Sequence, residues 1–397
     1  MKLLQVIGSM NPQTGGPCQC IRNFAPWFIQ QGNVLEVVCL DDPNSDYLPE
    51  DPFRVHALGQ GRGAYNYHPA LASWFQEHLP DYDAVILNGL WQYQGHALWR
   101  ATKGIKSPAV HIFPHGMLDP WFQKMSVRPL KTLRNWVLWK IIQHRAVHDA
   151  AGLLFTCEEE RRLARIPFRP YQPKREDVVG LGVPAPPEYN PRIKTAFAEK
   201  CPAVADKPFF LFLGRIHPKK GVDLLIKAYS ALCRSSGGSR NLPPPHLVIA
   251  GPGMETSYGQ KMQKLAAEIC PAGSISWPGM LAGDAKWGAL YQCEASVLPS
   301  HQENFGIAVV ETLACGRPVL ISNQVNIWRE VKEAGAALVE DNSVSGTTQL
   351  LLNWTNLPAT ARSNIAAQAK PCFQNYFSVE IATRKLLAVI TPATTSS

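Results

Sequence analysis

The sequence predicts an α/β protein built as two Rossmann-like halves, and three observations predict it. Short apolar runs of four to six residues alternate with amphipathic helical stretches, the pattern of a parallel sheet with helices on both faces. The pattern runs through once, then restarts after a proline-dense segment holding Pro184, Pro186, Pro187, Pro191, Pro202 and Pro208. Glycine-containing turns follow several of the apolar runs directly. At roughly 150 residues per domain, 397 residues suit two or three domains.

In the first half, Leu3–Ile7 reads as a strand that opens into the turn Asn11–Pro17. A helix follows over about 18–31, closed by Gly32-Asn33, and Val34–Cys39 is the next strand. Further strands are expected at Asp83–Asn88, at Ala109–Phe113 (ending in Pro114-His115-Gly116) and at Leu153–Cys157, the last after a helical stretch at 130–150. In the second half the expected strands are Phe209–Leu213, His246–Ala250, Ser274–Trp277, Ala295–Pro299 and Pro318–Ser322. Helices are expected at Gly221–Cys233, 255–269, Phe305–Cys315 and about 376–389, with a Ser/Gly/Pro-rich loop at 234–245. The expected division is a domain at 1–190, a linker at 191–207, a domain at 208–375 and a terminal helix at 376–391. Two such sheets in sequence imply a ligand cleft at their carboxyl ends.

Apolar residues make up 46% and charged residues 18%, which excludes a disordered chain. The net charge of +8 favours anionic partners without choosing among them. The ten cysteines are scattered, and the lone Cys18-x-Cys20 pair lacks the partner pair of a zinc site. With no signal-peptide run at the start, a reduced, cytoplasmic setting is expected. No RNA-stacking module or recognition helix is recognisable, so no nucleic-acid partner is expected.

Gly214-Arg215-Ile216-His217-Pro218-Lys219-Lys220-Gly221 lies between a strand and a helix. Arg215 and Lys220 at its two ends could close on one diphosphate, with Gly214 supplying a tight turn. A solvated basic loop is the plain alternative. Gly251-Pro252-Gly253 follows the next strand and would let backbone approach a ligand, but it completes neither a dinucleotide fingerprint nor a P-loop. In Ser300-His301-Gln302-Glu303-Asn304-Phe305-Gly306, running on to Glu311, two carboxylates stand eight residues apart around a helix start. Carboxylates accept hydrogen bonds from sugar hydroxyls, and a helix N-terminus attracts phosphate. A surface Glu303 and a capping Glu311 remain the alternative.

Gly15-Gly16 after the first strand could bring backbone close to phosphate or acceptor, with an ordinary turn as the alternative, and His115 after a later strand would face the cleft. Segment 121–145 mixes Trp121, Phe122, Lys124, Met125, Arg128, Lys131, Arg134, Trp136, Trp139, Lys140 and Arg145. That composition fits either an anionic membrane surface or an outer helix face in water. Tyr65, Tyr67, Trp91 and Tyr93 fall on loops of the first half that could line an acceptor channel.

Taken in order, the G-R-x4-K-G loop and the E-x7-E element inside HQENFGIAVVETLACGRPV resemble the retaining glycosyltransferases of family 4. Gly15-Gly16 and His115-Gly116 support the resemblance, which covers nearly the whole chain. It implies the GT-B fold, with the first domain binding acceptor and the second the nucleotide-sugar donor. The terminal helix would cross back to the first domain. It implies that Arg215 and Lys220 hold the diphosphate, that Glu303 contacts the donor sugar and that Glu311 holds the ribose. Backbone at Asn304, Phe305 and Gly306 would approach sugar and phosphate, with Gly214, Gly251 and Gly253 beside the nucleotide. His115 would sit by the donor sugar and Gly16 near phosphates or acceptor. The implied donor is a UDP- or GDP-sugar, without a metal, and the acceptor a glycan, a lipid-linked glycan or a small molecule. An epimerase or hydrolase of the same fold and a non-catalytic sugar binder remain the alternatives. One departure is Val179-Gly180-Leu181-Gly182-Val183-Pro184, where many relatives carry Pro-Asn-Gly-Val.

Overall fold

In a computed structural model of the chain, residues 1–105, 107–123, 129–205, 207–236 and 244–391 are described. They form two compact units, one comprising Met1–Pro184 with the chain from Val379 onward, the other Ala185–Ser378.

The first unit holds a seven-stranded sheet: β1 (Lys2–Val6), β2 (Val34–Cys39), β3 (Arg54–Ala57), β4 (Ala84–Asn88), β5 (Ala109–Phe113), β6 (Gly152–Phe155) and β7 (Glu176–Val178). Their spatial order is β3-β2-β1-β4-β5-β6-β7, with every pairing parallel. Central strands read as unbroken apolar runs because helices cover both faces, and all five residues of β4 are buried. The edge strands β3 and β7 gave no sequence signal: they are three or four residues long and carry Arg54, Glu176 and Asp177. Charge on a short edge blocks further strand pairing. Helix Val379–Ile390 belongs to this unit, and Val379 N–H donates to the Val183 carbonyl at 3.0 Å.

The second unit holds six parallel strands: β8 (Phe209–Leu213), β9 (His246–Ala250), β10 (Ile275–Gly279), β11 (Ala295–Leu298), β12 (Val319–Ser322) and β13 (Ala337–Glu340). Their order is β10-β9-β8-β11-β12-β13. Each sheet therefore reverses its winding once, between β1 and β4 in the first and between β8 and β11 in the second. Such a reversal parts the loops at the strand carboxyl ends and leaves a crevice where ligands of doubly wound sheets bind.

The segment expected as a linker, 191–207, is instead part of the second unit's core. Helix Pro191–Lys200 is capped by the Asn190 side chain, which accepts from Ile193 N–H, and it buries Ile193 and Phe197. It lies against helix Gly283–Gln292 so closely that a Cβ on Gly288 would stand 2.4 Å from the Ile193 carbonyl oxygen. Proline suits the first turn of a helix as well as a linker, and Asn190-Pro191 is a helix start. The helix expected from Phe305 begins at Ile307, because Gly306 adopts φ 81° as its N-cap. Helix Val222–Ser236 runs into the Ser/Gly/Pro stretch, whose residues 237–243 lie outside the described ones. All ten cysteines are free thiols.

Candidate functional site

At the switch point of the second sheet, the loop after β8 faces the loop after β11. Gly214 N–H donates to the Ala250 carbonyl and Ile216 N–H to that of Pro252, seaming the β8 and β9 loops together. Gly251 sits at φ 145°, and a Cβ there would lie 1.9 Å from the Gly214 carbonyl oxygen. Gly253, at φ 107°, would meet the Ile216 carbonyl oxygen at 2.7 Å. These two glycines are thus required by loop packing, whatever binds nearby. Gly214 differs: nothing stands within 3.9 Å of its absent Cβ.

Pro218–Lys220 forms a one-turn 3-10 helix, capped by the His217 side chain and ended by Gly221 in a left-handed conformation. Its carbonyls lock the opposite loop: His301 N–H donates to the Lys219 carbonyl at 2.8 Å and Ser300 Oγ donates to it at 2.9 Å. The turn thereby brings Lys220 Nζ into an ion pair with Glu303 Oε2 across the switch point. The side chains are 18% and 16% exposed. Burial, then the charges of Lys219 and Arg215, pull the Lys220 ammonium down to about 7, against the hold of Glu303 on its proton. An added anion at this spot would relieve that strain. Arg215 is exposed at the other end of the same loop.

Glu303 is fixed by its backbone, whose N–H donates to the Gln324 carbonyl and whose carbonyl accepts from Asn326 N–H. Phe305 is buried edge-on against Phe377, and Gly306 opens helix Ile307–Ala314. Asn304 Oδ1 lies 3.5 Å from Asn326 Nδ2. Glu311, one turn into that helix, pairs with Lys286 Nζ at 2.7 Å. The sequence reading missed Lys286. It lies on helix Gly283–Gln292 with its ammonium 4.1 Å over the Trp287 ring, and no motif marks it.

Arg215, Lys220, Glu303, Asn304, Phe305, Gly306 and Glu311 thus lie on the two elements flanking one switch point. Gly15, Gly16 and His115 lie in the other unit, at the carboxyl ends of its own strands. Gly15 takes φ 102° as the N-cap of helix Gly16–Gln30, and nothing lies within 4 Å of a Cβ on either glycine. His115 has φ 50°, stacks on Phe113 at 4.1 Å and places Nε2 2.9 Å from Asn88 Oδ1. Asn88 in turn donates to Gln5 Oε1 at 2.7 Å, which orients its carbonyl toward the histidine. His115 therefore carries its proton on Nε2, and burial pulls its pKa down to about 3. A neutral imidazole with a free Nδ1 lone pair suits a hydroxyl better than an anion. Glu160 supports the turn by accepting from Gly116 N–H and Thr156 N–H.

Asp41 is committed to the loop after β1: it accepts from Ser9 Oγ, Met10 N–H and Tyr47 OH. Among the described residues no group of three or more His, Cys, Asp or Glu side chains is placed to hold a metal ion, and no helix is long and apolar enough to cross a membrane. In segment 121–145, Lys124, Met125 and Arg128 lie outside the described residues. Trp139, read as an apolar anchor, is buried and stacked on Phe168. A cavity of about 550 Å³ lies in the first unit around Trp99, Lys103, Val110 and Lys174, at the amino ends of the strands, away from these loops.

Two doubly wound parallel sheets, each with one switch point at its strand carboxyl ends, define an α/β protein of a ligand-binding type. Residues 194–370 match the family model of glycosyl transferases group 1, and residues 15–182 match the glycosyl transferase 4-like domain. The chain belongs to the glycosyltransferase superfamily of GT-B fold. It is 28% identical over 245 residues to the D-inositol 3-phosphate glycosyltransferase of Geodermatophilus obscurus, covering 62% of this chain and 53% of that one. The chain thus matches only about half the length of that curated relative. Among solved structures it is similar to a glycosyltransferase from Rickettsia africae, with TM-score 0.76, 15% identity and coverage of 100% and 99% of the two chains. It is also similar to Anabaena Alr3699/HepE in complex with UDP and glucose, with TM-score 0.72, 16% identity and coverage of 98% and 99%.

Proposed function

We propose that the chain is a metal-independent, retaining transferase of glycosyltransferase family 4, moving a hexosyl group from a UDP- or GDP-sugar to an acceptor hydroxyl. The Lys220–Glu303 pair across the second switch point carries the reading. It sets a cation for a diphosphate beside a carboxylate for sugar hydroxyls, on loops that Gly251, Gly253 and Gly221 hold close. Arg215 and Lys220 take the diphosphate, Glu303 the donor sugar and Glu311, held by Lys286, the ribose diol. Backbone N–H groups at the start of helix Ile307–Ala314 face the phosphates. As the bond from anomeric carbon to phosphate oxygen breaks, that oxygen takes the acceptor's proton, and the acceptor oxygen bonds to the same face of the sugar. The two cations stabilise the charge that grows on the leaving phosphate. Cell-envelope or exopolysaccharide synthesis, on the cytoplasmic side, is the setting we favour.

A membrane role draws support from helix Pro129–Leu138 and the turn after it. Thr132, Asn135 and Trp139 face inward, while Leu130 (83% exposed), Leu133, Trp136 and Ile141 face solvent beside Lys131, Arg134 and Lys140. Flotation with anionic liposomes tests this, and absence of binding at low salt refutes it.

The transferase reading is tested by thermal shift against a panel of UDP- and GDP-sugars in EDTA, then by NMR of the product. Retention of the donor's anomeric configuration is expected. Free sugar or an epimerised nucleotide-sugar as the only product would replace transfer with hydrolysis or epimerisation.

A further inference from the structure

The cavity of about 550 Å³ at the amino ends of the first sheet takes no part in the transferase reading. β5 lies between β4 and β6, and a central strand of a parallel sheet is covered by helices on both faces. All five residues of β4 are buried, yet Ala109 and Val110 at the start of β5 are only half-buried. The missing cover lies between helix Tyr93–Thr102, which leads into β5, and helix His144–Asp149, which leads into β6. Here the cavity is walled by Leu87, Leu98, Val110, Ile112, Ala146 and Ala150. Its volume falls within the range of about 300–1,000 Å³ common to small-ligand sites.

The mouth is polar. Trp99 Nε1–H donates to Asp149 Oδ2 at 2.8 Å, and Lys174 Nζ donates to the Asp149 carbonyl at 2.9 Å. Beyond this strap a second hollow of about 480 Å³ shares Trp99, Lys103 and Asp149 with the first and adds Arg145 and His148. Lys103, Arg145 and Lys174 are exposed cations on this rim. Against them stand the Asp149 carboxylate and the carboxyl ends of the two helices, each carrying about half a negative charge. An excess of about one positive charge is left, which one anionic group would match. The rim also continues an apolar stripe. Leu130, Leu133, Val137 and Ile141 recur at helical spacing and are all exposed. The same spacing leads next to Arg145 and His148, on the rim of the second hollow.

We propose that this cavity binds a single-chain anionic lipid, at a site separate from glycosyl transfer. The alkyl chain lies against Leu98, Val110 and Ile112, and the carboxylate or phosphate head pairs with Lys103 and Lys174 at the mouth. An uncharged head forgoes those pairs, and a cationic head is repelled by them. The exposed stripe gives such a lipid an apolar track to the rim.

The test is calorimetry on the full chain, with all probes kept below their micellar concentrations. Octanoate, decanoate, dodecanoate and dodecyl phosphate are set against dodecyl maltoside and dodecyltrimethylammonium. At least one twelve-carbon anion is expected to bind, one per chain, with affinity rising about tenfold for each added pair of methylenes. Binding of dodecanoate alone supports the site as one for a fatty acid, and of dodecyl phosphate alone as one for a lipid phosphate. The double variant Lys103→Glu, Lys174→Glu, changed only at exposed residues, should weaken the anion about tenfold. Val110→Phe, which fills the cavity floor, should weaken dodecanoate more than octanoate, and the rim variant decides the matter where Val110→Phe fails to fold. Binding of neither twelve-carbon anion, equal binding of the maltoside or the ammonium, or an affinity unchanged in the rim variant would overturn the proposal. UDP should bind the rim variant within about twofold of the parent, and loss of UDP binding there would overturn the separation of the two sites. Failure of every nucleotide to bind the parent would sink the transferase reading and leave the lipid site standing.

Discussion

Replacing Lys220 with Met separates the structural and ligand-binding roles of the switch-point ion pair. The pair is neither exposed nor fully buried, at 18% and 16% side-chain exposure. Surface pairs are worth about 0–1 kcal/mol, and leaving one charge of a buried pair unpartnered costs about 3–5 kcal/mol. Between those limits, Lys220→Met should cost about 2 kcal/mol, by stranding the Glu303 carboxylate. For a unit of this size that lowers Tm by about 4–8 °C. Adding Glu303→Gln removes the stranded charge and should recover most of the loss. Function should not recover with it. UDP at a hundred times its Kd adds about 2.7 kcal/mol to the parent, and this ligand-induced rise in Tm should vanish in both the single and the double variant. Calorimetric scans of the three proteins, with and without UDP, read both quantities. A double variant no more stable than Lys220→Met, or a full UDP shift in either variant, would refute the reasoning.

Three further outcomes follow from the geometry. Burial, aided by Arg175, pulls the His111 imidazole down to about 4 from an ordinary 6.5. The unfolded chain therefore takes a proton below pH 6.5 that the folded one refuses, and stability present at pH 8 drops by about 2 kcal/mol at pH 5. Urea melts should show that drop, reduced in His111→Phe. With Lys220 near 7, its charge is present below that pH and lost above it. UDP affinity should then fall between pH 7.5 and 9.5, where the diphosphate no longer titrates, and calorimetry on Lys220→Arg should give a flat profile. Gly251→Ala must push a Cβ into the Gly214 carbonyl and should both destabilise the protein and abolish UDP binding, whereas Gly16→Ala meets open space at a helix start. The latter should leave Tm unchanged and lower turnover at least tenfold; unaltered turnover would remove Gly16 from the site.

How far the chain was legible depended on where the decisive interactions lie in sequence. Central strands such as β4 and β8 announce themselves, because burial on both faces demands unbroken apolar runs. β3 and β13 do not, because an edge position relaxes that demand and admits charge. Pro191 was misread as a linker residue because proline's fixed φ serves a loop and a helix start equally, and only the buried Ile193 and Phe197 distinguish the two. The site shows the same division. Gly214–Gly221 and Glu303–Glu311 are contiguous, and local spacing captures them. Lys286 reaches Glu311, and Asn88 reaches His115, only through packing between elements. Strand order carries more functional information than any single motif, because it decides which loops face each other. The loops after β8 and β11 were joined in the sequence reading only by resemblance, and the winding reversal between those strands supplies the physical reason for their pairing. The same reversal between β1 and β4 sets the loop after β1 beside the loop after β4, with Gly8 against the Gln92 and Gln94 side chains, so one topological rule, applied twice, fixes which loops meet in each unit.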